Sequence, residues 1–170
     1  MKECVMTLAE EFCAAWRARV SFDDLLSRLV VETASRAAGC WRLENGHLEL
    51  NGFGWASDMP EEVSRGFQDA TRRVSLDQIG LGIVKAAIST QPAIGRRDAQ
   101  ATGLDGSASW IVRFGANTSL AVPIHETKTG RVTGVIAVST AAFVEKDDSL
   151  WRTMLHLSNE LGRVIESQTA

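Results

Sequence analysis

The sequence has 170 residues, enough for one ordinary domain with its own core. Hydrophobic residues make up 45% and charged residues 23%, which excludes disordered and fibrous classes. Against 21 Asp+Glu stand 18 Lys+Arg, a net charge of −3 with no basic stripe, so a nucleic-acid partner is not expected. No apolar run approaches the roughly 18 residues of a membrane span. Acids at Glu3, Glu10 and Glu11 interrupt the apolar stretch a signal peptide needs. Three cysteines, Cys4, Cys13 and Cys40, are an odd set without metal spacing, so no disulfide framework is expected. The expected location is cytoplasmic.

Apolar positions at Val5, Leu8, Phe12, Ala15 and Trp16 have helical spacing over residues 3–18. Ser21 reads as the cap of a second helix, with Asp23 and Asp24 in its first turn. Leu25, Leu26, Leu29, Val30 and Ala34 continue it, and Gly39 is expected as its C-cap. Asn45-Gly46 predicts a type I′ hairpin between strands 40–44 and 47–53. Ser57 or Asp58, Pro60, Glu61 and Glu62 predict a helix start, with the helix running to Thr71. A further helix is expected over 82–90, stopped by Pro92, then a short strand at 93–95. Residues 96–108 read as a loop and 109–114 as a helical turn. Strands follow at 118–125 and 132–140, joined by Thr127-Lys128-Thr129-Gly130. A last helix covers 147–168. Strands joined by hairpins, with helices mainly at the ends, predict an α+β fold with an antiparallel sheet.

Four stretches resemble the GAF family of sensory domains. They are Gly80-Leu81-Gly82-Ile83-Val84 with Gln91-Pro92-Ala93-Ile94, Ser119-Leu120-Ala121-Val122-Pro123-Ile124, Gly134-Val135-Ile136-Ala137-Val138, and Phe143-Val144-Glu145-Lys146-Asp147. The resemblance covers residues 21–168, leaving residues 1–20 as a leading helix for dimerisation or signalling. It implies a central antiparallel sheet with the N- and C-terminal helices on one face. A small-molecule pocket is then expected on the other, under the middle helices and the long loop. By similarity to phytochrome GAF domains, Ser119, Ala121 and Pro123 face the ligand, as do Ser139, Ala137 and Val135. Trp41 and Leu43 are implied on the same side. Cys40 and Arg42 then face away, because strand side chains alternate.

Trp41, Trp55, Trp110 and Phe114 offer an aromatic cage, the usual wall of a small-molecule site; the plainer reading is that they fill the core. Arg113 precedes the pocket strand, where a guanidinium can grip an anion, or else is a solvated loop residue. Gly82 opens a helix whose free N–H groups favour anions, although glycine also serves tight turns. The three histidines, His47, His125 and His156, lack ligand spacing for haem or a metal. Bilin attachment is disfavoured by the absence of a Cys-His pair near Ser107, and cyclic-nucleotide binding by the absence of an Asn-Lys. No cofactor is singled out, and no acid–base pair or activated nucleophile is visible.

The expected function is a sensory or regulatory domain that binds a small molecule and relays its state through the terminal helices. The output is expected in a kinase, cyclase or transcription-regulator partner. Two apolar stripes on the last helix, led by Leu150 and Trp151, suggest a homodimer through the terminal helices. The alternatives are a dimerisation module that binds nothing and, less favoured, a redox enzyme resembling the free methionine sulfoxide reductases.

Overall fold

The computed structural model describes residues 6–168, with side chains to Val164. Cys4, Val5 and the Ile165 side chain lie outside them. Helix α1 (Leu8–Ala18) starts from a capping box. Thr7 Oγ1 accepts the Glu10 N–H at 3.2 Å, and the Glu10 carboxylate accepts the Thr7 N–H at 3.0 Å. Helix α2 (Asp23–Thr33) has Phe22 at its N-cap position, while Ser21 Oγ accepts the Asp23 N–H one residue further on. Its C-cap is Ala34, left-handed at φ 51°, rather than the expected Gly39. Gly39 lies inside strand β1 (Ala37–Glu44). A Cβ there would stand 2.5 Å from the Trp41 ring, so only glycine lets that ring lie flat over the strand.

Asn45 and Gly46, at φ 52° and 77°, turn β1 into β2 (His47–Trp55), as a type I′ hairpin requires. Asn51 is an extra residue in this ladder: Cys40 pairs with Gly52 but Trp41 pairs with Leu50. Next come α3 (Glu61–Thr71) and β3 (Arg73–Ser75), a short edge strand the sequence reading lacked. Helix α4 (Gly82–Ser89) and strand β4 (Ala93–Arg96) fall where expected. The expected loop over 96–108 instead holds α5 (Ala99–Thr102) and the start of α6 (Asp105–Arg113). Strands β5 (Thr118–His125) and β6 (Val132–Thr140) lead to α7 (Ser149–Gln168).

The six strands form one antiparallel sheet in the order β3-β2-β1-β6-β5-β4. The α+β architecture is as predicted, and so is the alternation of β5, with Leu120, Val122 and Ile124 on the terminal-helix face. Leu120, Val122, Ile124, Ile136 and Val138 pack under α1, α2 and α7 in one core. Phe12 and Trp16 of α1 belong to that same core, as do Met154, Leu157 and Leu161 of α7. The α7 stripes are therefore largely covered from within the chain. Glycine brings helix and strand close: a Cβ at Gly54 would meet the Leu26 carbonyl carbon at 2.5 Å, and one at Gly162 the His125 carbonyl oxygen at 2.1 Å. No helix among the described residues is long and apolar enough to cross a membrane.

Candidate functional site

The opposite face of the sheet is paved with small residues in register. On one rung Ala37, Ser139, Ser119 and Gly95 lie side by side; on the next, Gly39, Ala137, Ala121 and Ala93. Side chains this short cannot fill the space beneath α3, α4 and α6. A cavity of about 50 Å³ results, within a hollow of about 440 Å³ counted out to open solvent. At ~10–15 Å³ per water centre, the cavity has room for several waters.

Of the residues singled out from sequence, Trp41, Gly82, Trp110, Phe114, Ser119, Ala121 and Ser139 line this cavity. Trp41 is buried and fixed, its Nε1–H donating to the Thr71 carbonyl at 3.0 Å. Ser119 and Ser139 are direct cross-strand partners. Ser119 Oγ leans over Gly95, where a Cβ would come within 2.4 Å of it. Neither serine hydroxyl has a hydrogen-bond partner among the described residues.

Five residues expected to face the ligand do not line this cavity: Leu43, Trp55, Arg113, Pro123 and Val135. Leu43 sits near the hairpin tip, opposite Leu48, and lines a separate depression with Arg131 and Thr133. Trp55 ends β2, 39% exposed, stacked on Phe53 at 5.9 Å between ring centres. Arg113 is exposed, with its guanidinium 4.6 Å from the centre of the Trp110 ring. It is the last residue of α6 and is not among the residues lining the cavity. Pro123 lies further along β5, and its carbonyl accepts the Ser158 hydroxyl of α7.

Phe67 is the residue the sequence reading missed. It projects from α3 into the cavity wall and touches four rings. Its centre lies 5.0 Å from Phe114, 5.1 Å from Phe53, 5.2 Å from Trp110 and 6.1 Å from Trp41. Three of these contacts are edge-to-face within the range aromatic pairs prefer, those to Trp41, Trp110 and Phe114. Capping signals at Ser57 or Asp58, Pro60, Glu61 and Glu62 placed the helix, and the Val63–Phe67 spacing within it marks the face that meets the sheet.

Ser107, another unforeseen wall residue, accepts the Gly82 N–H on its Oγ at 2.7 Å. It joins the first turn of α4 to α6. The far end of α6 is held by Arg36, whose Nε donates to the Phe114 carbonyl at 2.9 Å while Nη1 binds Asp58 at 2.5 Å. That guanidinium holds the Asp58 carboxyl below the usual carboxylate range.

The cysteines stand apart from the cavity. Cys40 is fully buried on the terminal-helix face, and burial pushes its thiol up to about 12. Cys13 is raised by burial and then by Glu160. Among the described residues, no group of three His, Cys, Asp or Glu is placed to hold a metal ion.

No protein-family model matches the sequence, and no curated protein matches it. Solved structures do match in fold. The A. Aeolicus nlh2 GAF domain in an inactive state superposes with a TM-score of 0.63 at 15% identity, over 95% of this chain and 94% of that one. The GAF domain region of a Geobacter sulfurreducens membrane protein gives 0.62 at 17% identity, over 86% and 91%. This chain has the GAF fold. The same fold occurs in the type II free methionine-R-sulfoxide reductase of Thermoplasma acidophilum, at a TM-score of 0.58 and 15% identity over 95% and 96% of the chains.

Proposed function

We propose that this chain is a cytoplasmic sensory or regulatory GAF domain that takes a small molecule into the cavity between the sheet and helices α3, α4 and α6. The observation that carries this reading is the pair of unpartnered hydroxyls, Ser119 and Ser139, facing a hollow walled by Trp41, Phe67, Trp110 and Phe114. The two hydroxyls are not among the buried unpartnered polar atoms, so they are open to whatever enters the hollow, and an apolar wall with a few placed polar groups is the make-up of a ligand site. The bound state is read out through the terminal helices, to a kinase, cyclase or transcription-regulator partner. A homodimer through the terminal helices is part of this proposal; sedimentation velocity tests it, and a monomer at all concentrations refutes it.

Thiol chemistry of the reductase kind is not supported at this cavity, because no cysteine lines it and Cys40 stays protonated at neutral pH. The test of the sensory reading is a thermal-shift comparison of the full chain with Ala121→Leu, which fills the cavity. A small-metabolite extract is expected to raise the melting temperature of the wild type and leave the variant unmoved. Equal responses, or none in either, would refute ligand binding at this site.

A further inference from the structure

Resting on the cavity as a ligand site, we infer that it is built for an uncharged molecule: compact, apolar in body, with one hydrogen-bonding end seated on Ser119 and Ser139. Four observations converge. First, none of the residues lining the cavity is Asp, Glu, Lys, Arg or His. A charged ligand would leave its water shell with no opposite charge to meet it, at a cost no few hydroxyls offset. Second, Arg113, the cation that sequence placed nearest the site, is spent outside it on the Trp110 ring.

Third, the first N–H of α4 is already in use. The Gly82 N–H that would greet an anion at that helix end already donates to Ser107 Oγ. Fourth, the two free hydroxyls sit together on paired strands, while the surrounding wall is aromatic and aliphatic. Each hydroxyl gives one donor and two lone pairs. Together they accommodate an amide, alcohol or carbonyl end equally well, and the rings take the apolar remainder. The cavity's size keeps the ligand to a few heavy atoms unless the ring cluster parts.

Isobutyramide and isobutyrate have the same shape and differ in charge at neutral pH, so they separate the terms. The full chain is titrated with each while backbone amide NMR shifts of Ser107, Ser119 and Ser139 are followed. Isobutyramide is expected to saturate with roughly millimolar affinity, as so few atoms permit. Isobutyrate is expected to bind about 100-fold more weakly. The double variant Ser119→Ala with Ser139→Ala is expected to weaken isobutyramide about fivefold with an unchanged melting temperature. Single variants serve if the double one unfolds. Isobutyrate binding as well as the amide would overturn the inference and leave the cavity a ligand site. Undiminished amide binding in the serine variants would overturn the seat assigned to its polar end. If neither probe moves the three amides, the ligand-site reading falls too.

Discussion

Strand β5 presents Leu120, Val122 and Ile124 to the terminal helices and Ser119 and Ala121 to the cavity. On the first face large side chains interlock with Phe12, Leu26, Met154 and Leu161, all buried, and helices approach until only glycine fits between them and the strands. On the second, consecutive rungs of Ala, Ser and Gly leave space beneath the helices that a ring of aromatics only partly fills. Interiors are close-packed wherever they can be. One face follows that rule and the other departs from it where the proposed ligand site lies.

The largest expected break in this contrast comes from emptying the packed face. Phe12→Ala should cost about 3–5 kcal/mol in denaturant unfolding. Trp41→Ala should cost a similar amount although it is a cavity residue, because its ring is buried and its indole N–H is bonded to Thr71. A loss below about 1 kcal/mol would mean that Trp41 is a mobile wall. Next is overfilling. Gly54→Ala should cost about 1–3 kcal/mol, since its methyl meets the α2 backbone, whereas Ala121→Leu should be neutral within about 1 kcal/mol because its atoms enter empty space. Equal costs would erase the difference between the faces.

Smaller effects come from titration. Asp148 caps α7, its carboxylate accepting the Glu145 and Trp151 N–H groups at 2.8 Å each, and these bonds hold its pKa below the ordinary value. Its contribution is therefore present above the unfolded carboxylate range and lost as pH falls through the lowered folded value. Asp148→Ala should cost about 1 kcal/mol at neutral pH, a gap that closes in acid. Cys40 has the opposite sense. Its folded pKa near 12 exceeds the ordinary 9.0, so stability should decline as pH rises past the ordinary value. Alkylating reagents should label it only on unfolding; rapid labelling at pH 8 would place it near the surface.

The resemblance to phytochrome GAF domains set the phase of β5 and β6, and a period of two leaves no freedom once one face is known. The hairpin was legible from Asn45-Gly46 for a local reason. Gly39 misled because a glycine after an amphipathic run usually ends a helix. Its true role comes from Trp41, two residues away on the same face, a contact that only a strand creates. Residues 105–109 hid the start of α6 because Gly106, Ser107 and Ser109 are poor helix formers. The helix forms there with Ala108 and Ile111 buried. Strand β3 has three residues, too few for any period, and exists by pairing with β2. Arg113 and Trp55 were placed by proximity in sequence, but the direction a helix or strand end points them is a tertiary outcome.

The Gly162 contact has a mechanical corollary. With no side chain at that point, α7 rests directly on the His125 carbonyl, and one turn earlier Ser158 grips the Pro123 carbonyl at 2.7 Å. Axial rotation would drive a neighbouring side chain into β5, so these contacts resist rolling of the helix. Its lever arm is thus anchored to the strand whose other half floors the cavity.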